Sequence, residues 1–171
     1  MTPMHSEYLP VVDENDKVIG KSPRNIVHAS KLRHRAVHIL VFDDPGRLFL
    51  QKRSLNKDIN PGLWDTSAAG HVDPDEEYDA SASREIREEL GIGADGLIEF
   101  LFKLPAAECT GMEFVNVYRC THNGPFVLAP DEIEDGQWFS VETVSARVRA
   151  DDPMLTGTFK TLWRQFETNE R

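Results

Sequence analysis

The apolar positions of the 171-residue chain fall mostly into short unbroken runs or alternations, and in only a few places into helical spacing. Residues 36–42, AVHILVF, are rich in β-branched and apolar residues over a length too short for a helix, which predicts a buried strand. The turn residues DDPGR follow, and LFLQKRS then predicts a partner strand. Strand composition returns at 97–104, at 113–120, where EFVNVYRC alternates, and in DEIEDGQWFS behind an acidic loop. Residues 8–20 read as a small hairpin turning at 13–16, with Leu9, Val11, Val18 and Ile19 as its apolar contributors. Helical spacing marks 157–167, whose Phe159, Leu162, Trp163 and Phe166 share one face, and a second helix is expected at 142–150. Between the strands, residues 70–92 add one glycine-led loop and one short helix. Strands on both sides of a central helix, with helices at the end, predict an α/β fold whose mixed central sheet is sandwiched between helices. The expected organisation is one domain over 1–171, with its core at 35–139, the hairpin at 8–20 and C-terminal helices at 141–168.

Composition narrows the setting. A content of 40% hydrophobic and 28% charged residues is ordinary for a soluble globular domain of this size. The formal net charge of −10 argues against nucleic acid as a partner, because nothing in so acidic a chain would release a polyanion's counterions. Cys109 and Cys120 fall within expected strands, with no CxxC or His-rich company, and are expected as buried free thiols. No stretch approaches the ~18 apolar residues of a membrane span, and no basic segment precedes an apolar run at the N-terminus. A cytoplasmic protein without a membrane partner is expected.

Candidate chemistry is concentrated in 70–92. A helix turns about 100° per residue, so Glu85, Glu88 and Glu89 project within roughly one third of its circumference. Three carboxylates sharing one volume repel, and a hard divalent cation such as Mg²⁺ or Mn²⁺ would remove the conflict. On spacing alone the same acids also fit a solvated helix face. Arg24, His28, Lys31, Arg33, His34 and Arg35 form the dense basic segment of the chain, and beside an anion pocket they would help hold a diphosphate. Lys52 and Arg53 end a strand, where a guanidinium can fork onto a phosphate; a solvated strand end fits equally.

Taken together, Gly70, Glu76, Arg84, Glu85, Ile86, Glu88, Glu89, Gly91 and Ile92 match the Nudix box at every specified position, so the chain resembles the Nudix hydrolases. The resemblance implies an α/β/α sandwich, Mg²⁺ (or Mn²⁺) as cofactor, and hydrolysis of a small-molecule diphosphate, with a homodimer as the expected assembly. By position, Glu85, Glu88 and Glu89 would ligate the metal together with the Gly70 carbonyl. Glu76, Arg84 and Gly91 would support the box, Arg84 by pairing with and orienting the acids. The base that takes the proton of water would be Glu85 or Glu88, or Glu134 in the acidic loop.

A second resemblance lies within the same fold. HRAVHILVF and QKRSLNKDINPGLWDTSAAGH are similar to isopentenyl-diphosphate isomerase, in which a catalytic Cys directly precedes the Gly-His pair. Here that position is Ala69, which can carry no proton. The resemblance implies that His71 and His34 match metal-binding histidines and that Glu113 corresponds to a catalytic Glu, although Gly111 stands where a further acidic ligand is expected. His34, His71 and Glu113 are therefore candidates for a second metal or for substrate contact. His28, His34, His38 and His71 also invite a metal reading of their own, His38 sharing a strand face with His34, although a strand histidine equally fits a hydrogen-bonded core or surface residue; His5 and His122 look peripheral. The reading that follows is a metal-dependent pyrophosphohydrolase cleaving a diphosphate linkage in a nucleotide or other nucleoside-diphosphate-type substrate. Isomerase activity and a non-catalytic nucleotide-sensing module are its alternatives.

Overall fold

The computed structural model describes residues 7–93 and 97–171. An antiparallel hairpin, β1 (Tyr8–Val12) and β2 (Val18–Pro23), opens the described chain. Its turn is held by Asp13, whose Oδ1 accepts the backbone N–H groups of Asn15 and Lys17, each at 2.9 Å. The six-residue helix α1 (Arg24–Ala29) follows immediately behind Pro23. It buries only Val27, which is why no apolar stripe in the sequence announced it.

The main sheet contains β3 (His34–Phe42), β4 (Leu48–Arg53), β5 (Trp64–Asp65), β6 (Ala68–His71), β7 (Ile98–Leu104), β8 (Glu113–Thr121) and β9 (Ile133–Phe139). β3 is its pivot. It runs parallel to β8 over its whole length, and on its other edge it pairs antiparallel with β6 at Ala36 to Ile39 and with β4 only at Val41 and Phe42. The remaining pairings are antiparallel, so the sheet is mixed as expected. From Ala36 to Phe42 β3 is apolar except for His38, because both of its faces are covered. Val37, Ile39 and Val41 pack with Ile86 and Leu90 of α2 (Tyr78–Leu90). Ala36, Leu40 and Phe42 pack with Val144 and Val148 of α3 (Val141–Arg149) and with Phe159, Leu162 and Trp163 of α4 (Gly157–Asn169).

Each of the buried Val, Leu, Ile and Phe side chains among these contributes roughly 1.5–3 kcal/mol. Trp163 is fully buried and satisfies its one polar atom by donating Nε1–H to Ser145 Oγ at 3.0 Å. Ser140 and Thr156 fix the starts of α3 and α4 by accepting the N–H groups of Thr143 and Phe159. Gly91 ends α2 in the left-handed region at φ 69, where a side chain would also meet Val127. One expectation fails: Cys109 lies in a short 3-10 turn (Glu108–Thr110) between β7 and β8 and is exposed, whereas Cys120 is a buried strand thiol. No helix among the described residues is long and apolar enough to cross a membrane.

Candidate active site and metal centre

β6 and α2 carry the first acidic group. β6 brings Gly70 directly against the helix: a Cβ on this glycine would lie 2.1 Å from Glu85 Cδ, so only glycine leaves space for that carboxylate. Glu89, buried under the strand, accepts the Ala69 N–H at 2.7 Å. Glu88 is the more exposed third acid. Arg84 binds them together. Its Nε and Nη2 donate to Glu76 at 2.9 and 3.0 Å, Nη1 to Glu85 at 2.7 Å and to Glu88 at 3.2 Å, and Nη2 also to the His71 carbonyl at 3.1 Å. Its donors are thus committed within the box, as a clamp, and Glu76 acts through it rather than on the cavity.

One guanidinium does not balance this many carboxylates. Burial pushes Glu85 up to about 7, against the opposing effect of Arg84 and with the help of Glu88. Burial pushes Glu89 up to about 8, against the Ala69 N–H and with the help of Glu85. Oxygen-only donors around a cradle that a methyl group would fill suit a hard divalent cation such as Mg²⁺ or Mn²⁺.

A second cluster adjoins it, one residue further along β6. The register pairs His34 with Glu113 across β3 and β8 and Ala36 with His71 across β3 and β6, so three sheet residues meet at one end of the sheet. α1 adds His28. One donor atom from each of these four lies within 4.8 Å of all the others, and the three rings are 5.2–5.3 Å apart. His34 is 1% exposed. Its Nδ1 lies 2.9 Å from the Leu32 carbonyl, which can only accept, so Nδ1 carries hydrogen and Nε2 is turned into the cluster. That Nε2 is buried without a hydrogen-bond partner, although Glu113 Oε1 is 3.3 Å away.

The His71 ring lies 3.1 Å from Glu113 through Nε2 and 3.8 Å from Glu7 through Nδ1. Burial would lower its pKa, but Glu113 and Glu7 outweigh it and raise the ring to about 9. Burial, then the charges of His71 and Arg24, push His28 down to about 4. Burial would raise Glu113, but His34 and His71 hold it well below the usual carboxylate range. Three imidazoles with one carboxylate form a donor set suited to Mn²⁺, Fe²⁺, Co²⁺ or Zn²⁺ rather than to Mg²⁺.

Both clusters open onto one cavity of about 1050 Å³, where acids outnumber Arg and Lys two to one. Gly70, Glu85, Glu88, Glu89, His71 and Glu113 line it, as do Arg84 and Arg53. Arg53 donates Nε and Nη2 to the Ile59 carbonyl at 3.1 and 2.9 Å, which aims its guanidinium along the cavity wall. Two sequence candidates do not join them. Lys52 precedes Arg53 on β4 and so points to the opposite side, where it pairs with Glu134 at 3.4 Å. Neither Lys52 nor Glu134 lines the cavity; Lys57 and Glu132 occupy that wall instead. The basic segment also divides. Arg24 lines the cavity while forked onto Asp58 at 2.7 and 3.0 Å, whereas Arg35 turns away to Asp16. His38 lines the cavity and bonds Thr66 at 2.8 Å; His122 accepts from Gly124 N, and His5 lies outside the described residues. Sequence reasoning passed over Glu7, Lys57 and Glu132, which reach the site from distant loops without a motif. His28 is expected with His34, His38 and His71 as a histidine metal set; the structure brings His28, His34 and His71 together with Glu113 and leaves His38 outside that cluster.

Comparison with known proteins places the chain among relatives. The NUDIX domain family matches residues 32–157. The chain is 38% identical over 144 residues to an uncharacterized Nudix hydrolase of Yersinia pestis, covering 82% of this chain and 77% of that protein. It is 39% identical over 144 residues to isopentenyl-diphosphate Delta-isomerase 1 of Aromatoleum aromaticum, covering 82% and 79% respectively. The crystal structure of DR0079 from Deinococcus radiodurans superposes with a TM-score of 0.83 at 28% identity, over 93% of this chain and 98% of that one.

Proposed function

The chain belongs to the Nudix family and is a Nudix hydrolase acting on diphosphate bonds, and from that premise we propose a metal-dependent pyrophosphohydrolase that works through two adjoining cation sites. Glu85, Glu88 and Glu89, with the Gly70 carbonyl, would hold Mg²⁺ or Mn²⁺. His28, His34, His71 and Glu113 would hold a second, softer divalent ion. The observation that carries the reading is the close approach of Gly70 to Glu85, which gathers the box acids beside a cavity that already contains Arg53.

The cavity wall is predominantly acidic, so diphosphate binding depends on the cations. When bound, they supply neutralisation of phosphoryl oxygens and polarisation of the bond to be broken. The chain's own residues do the rest. Arg53 would hold the phosphoryl oxygens that face away from the box, while Arg24 and Lys57, which line the same cavity, are paired with Asp58 and Glu132. Arg84 does not bind substrate; it fixes the positions of Glu85 and Glu88 through bonds of 2.7 and 3.2 Å. Glu88, exposed on the wall, would take the proton of the attacking water through the carboxylate oxygen it does not give to the metal. Glu134 is discarded as a base because it faces Lys52.

Isomerisation is the second reading, favoured by the histidine cluster and by the likeness to an isomerase. Against it stands Ala69, whose methyl group can neither give nor take a proton at carbon. An assay of the protein with Mg²⁺ and Mn²⁺ tests the choice, following phosphate release and allylic isomer from nucleotides, sugar nucleotides and isopentenyl diphosphate. Hydrolysis without isomer is the expected result. Isomer without hydrolysis would overturn the proposal, and tight nucleotide binding without turnover would favour a sensing module.

A further inference from the structure

Granted the diphosphate-hydrolase reading above, we propose that the group carried by the diphosphate is a hydroxylated, base-free moiety of the sugar or polyol class. At about 1050 Å³ the cavity has space beyond that needed for two phosphoryl groups and their ions, so its walls must recognise something more. All nine Phe, three Tyr and three Trp of the chain lie among the described residues, and none lines the cavity. They are engaged elsewhere. Phe49, Phe126 and Trp138 cluster on the α2 side at 4.6–5.7 Å, Trp64 meets Phe139 at 5.3 Å, and Phe159, Trp163 and Phe166 form the buried face of α4. A nucleobase would therefore find no aromatic carbocycle to stack on, an interaction that contributes roughly 5- to 150-fold in affinity.

A hydrocarbon chain is no better served. The larger apolar wall residues each stand beside a polar one that also lines the cavity: Ile59 beside Asn60, Pro130 beside Asp131, Met112 beside Glu113. Covering those polar groups with hydrocarbon would leave them without partners. Hydroxyl groups would instead satisfy them, donating to carboxylates such as Glu108 and Asp131. They could also bond the start of α4, where Gly157 and Thr158 line the cavity, through the Thr158 hydroxyl and through N–H groups that have no acceptor within the helix.

Calorimetry on the full chain loaded with Mg²⁺ and Mn²⁺ tests this without turnover, using four non-hydrolysable probes. These are bare methylenediphosphonate and its nucleoside, glucosyl and prenyl derivatives. The glucosyl derivative is expected to bind at least tenfold tighter than the bare probe, and the nucleoside and prenyl derivatives within about fivefold of it. Thr158→Val, which removes one hydroxyl at constant volume, is expected to weaken the glucosyl derivative by roughly 2- to 12-fold and to leave the bare probe unchanged. A nucleoside or prenyl derivative that binds tightest, or a glucosyl derivative no better than the bare probe, would overturn the inference while leaving the hydrolase reading intact. Failure of bare methylenediphosphonate to bind would remove the hydrolase reading and this inference with it.

Discussion

Replacing Gly70 with alanine separates the site from the fold more cleanly than removal of any acid. The added methyl would sit 2.1 Å from Glu85 Cδ, 2.2 Å from Oε1 and 2.6 Å from Oε2. Non-bonded carbons rest at about 3.5 Å or more, so the carboxylate must retreat by roughly 1.4 Å. It can do so cheaply, because it ends a flexible side chain, and Gly70 is not among the residues with positive φ, so alanine adopts its backbone without strain. The cost to stability is thus no more than about 1–3 kcal/mol of overpacking, at the low end if Glu85 swings out. The cost to turnover is expected to be larger, because misplacing a catalytic group by about 1 Å lowers the rate on the order of a hundredfold. Steady-state hydrolysis across a Mg²⁺ titration, with a thermal melt of the same preparations, checks both. G70A is expected to melt within a few degrees of the parent, to need more Mg²⁺ and to turn over about a hundredfold slower. Turnover within threefold of the parent at the same Mg²⁺ concentration would refute the idea that the Gly70 and Glu85 contact builds the site.

Three further outcomes follow from the geometry. Glu85, Glu89 and His71 all have folded pKa values above their ordinary ones, near 7, 8 and 9 against 4.5, 4.5 and 6.5. The stability they contribute is fully present below the ordinary values and lost as pH rises through the folded ones, so the metal-free protein should melt lower at pH 9 than at pH 5.5. Saturating Mg²⁺ and Mn²⁺ should flatten that slope, and a melt in EDTA that rises with pH would contradict it. Changing Arg53 to Lys keeps the charge but loses the fork that rests on Ile59, and should raise KM for diphosphate about tenfold with little change in kcat. His34→Leu removes the buried, unpartnered Nε2; it should abolish stoichiometric Mn²⁺ or Zn²⁺ retention on dialysis while preserving Mg²⁺ binding at the box.

Much of this was legible in the sequence where one local rule decided the outcome. β3 was readable because AVHILVF is apolar on both faces, and α4 because Phe159, Leu162, Trp163 and Phe166 repeat with the helical turn. The box acids were legible because Glu85, Glu88 and Glu89 lie within one helix, three and four residues apart. What could not be read depended on contacts between distant residues. α1 has a single buried residue, yet it delivers His28. Glu7 lies 64 positions before His71 and meets it only after the hairpin has docked. Lys52 and Arg53 looked equivalent as neighbours at a strand end, but the strand's alternation sends one to Glu134 and the other to the cavity. Cys109 was misplaced because its 3-10 turn is too short to show a period.

The most direct test of the central claim is hydrolysis in ¹⁸O-labelled water with Mg²⁺, comparing the parent with Glu89→Gln. If the box makes water the nucleophile at phosphorus, one ¹⁸O enters a phosphoryl product of the parent. The variant, melting within a few degrees of the parent, should form that product at least a hundredfold more slowly. Label-free conversion of the substrate to an isomer, or labelled product formed by Glu89→Gln at the parental rate, would contradict the account.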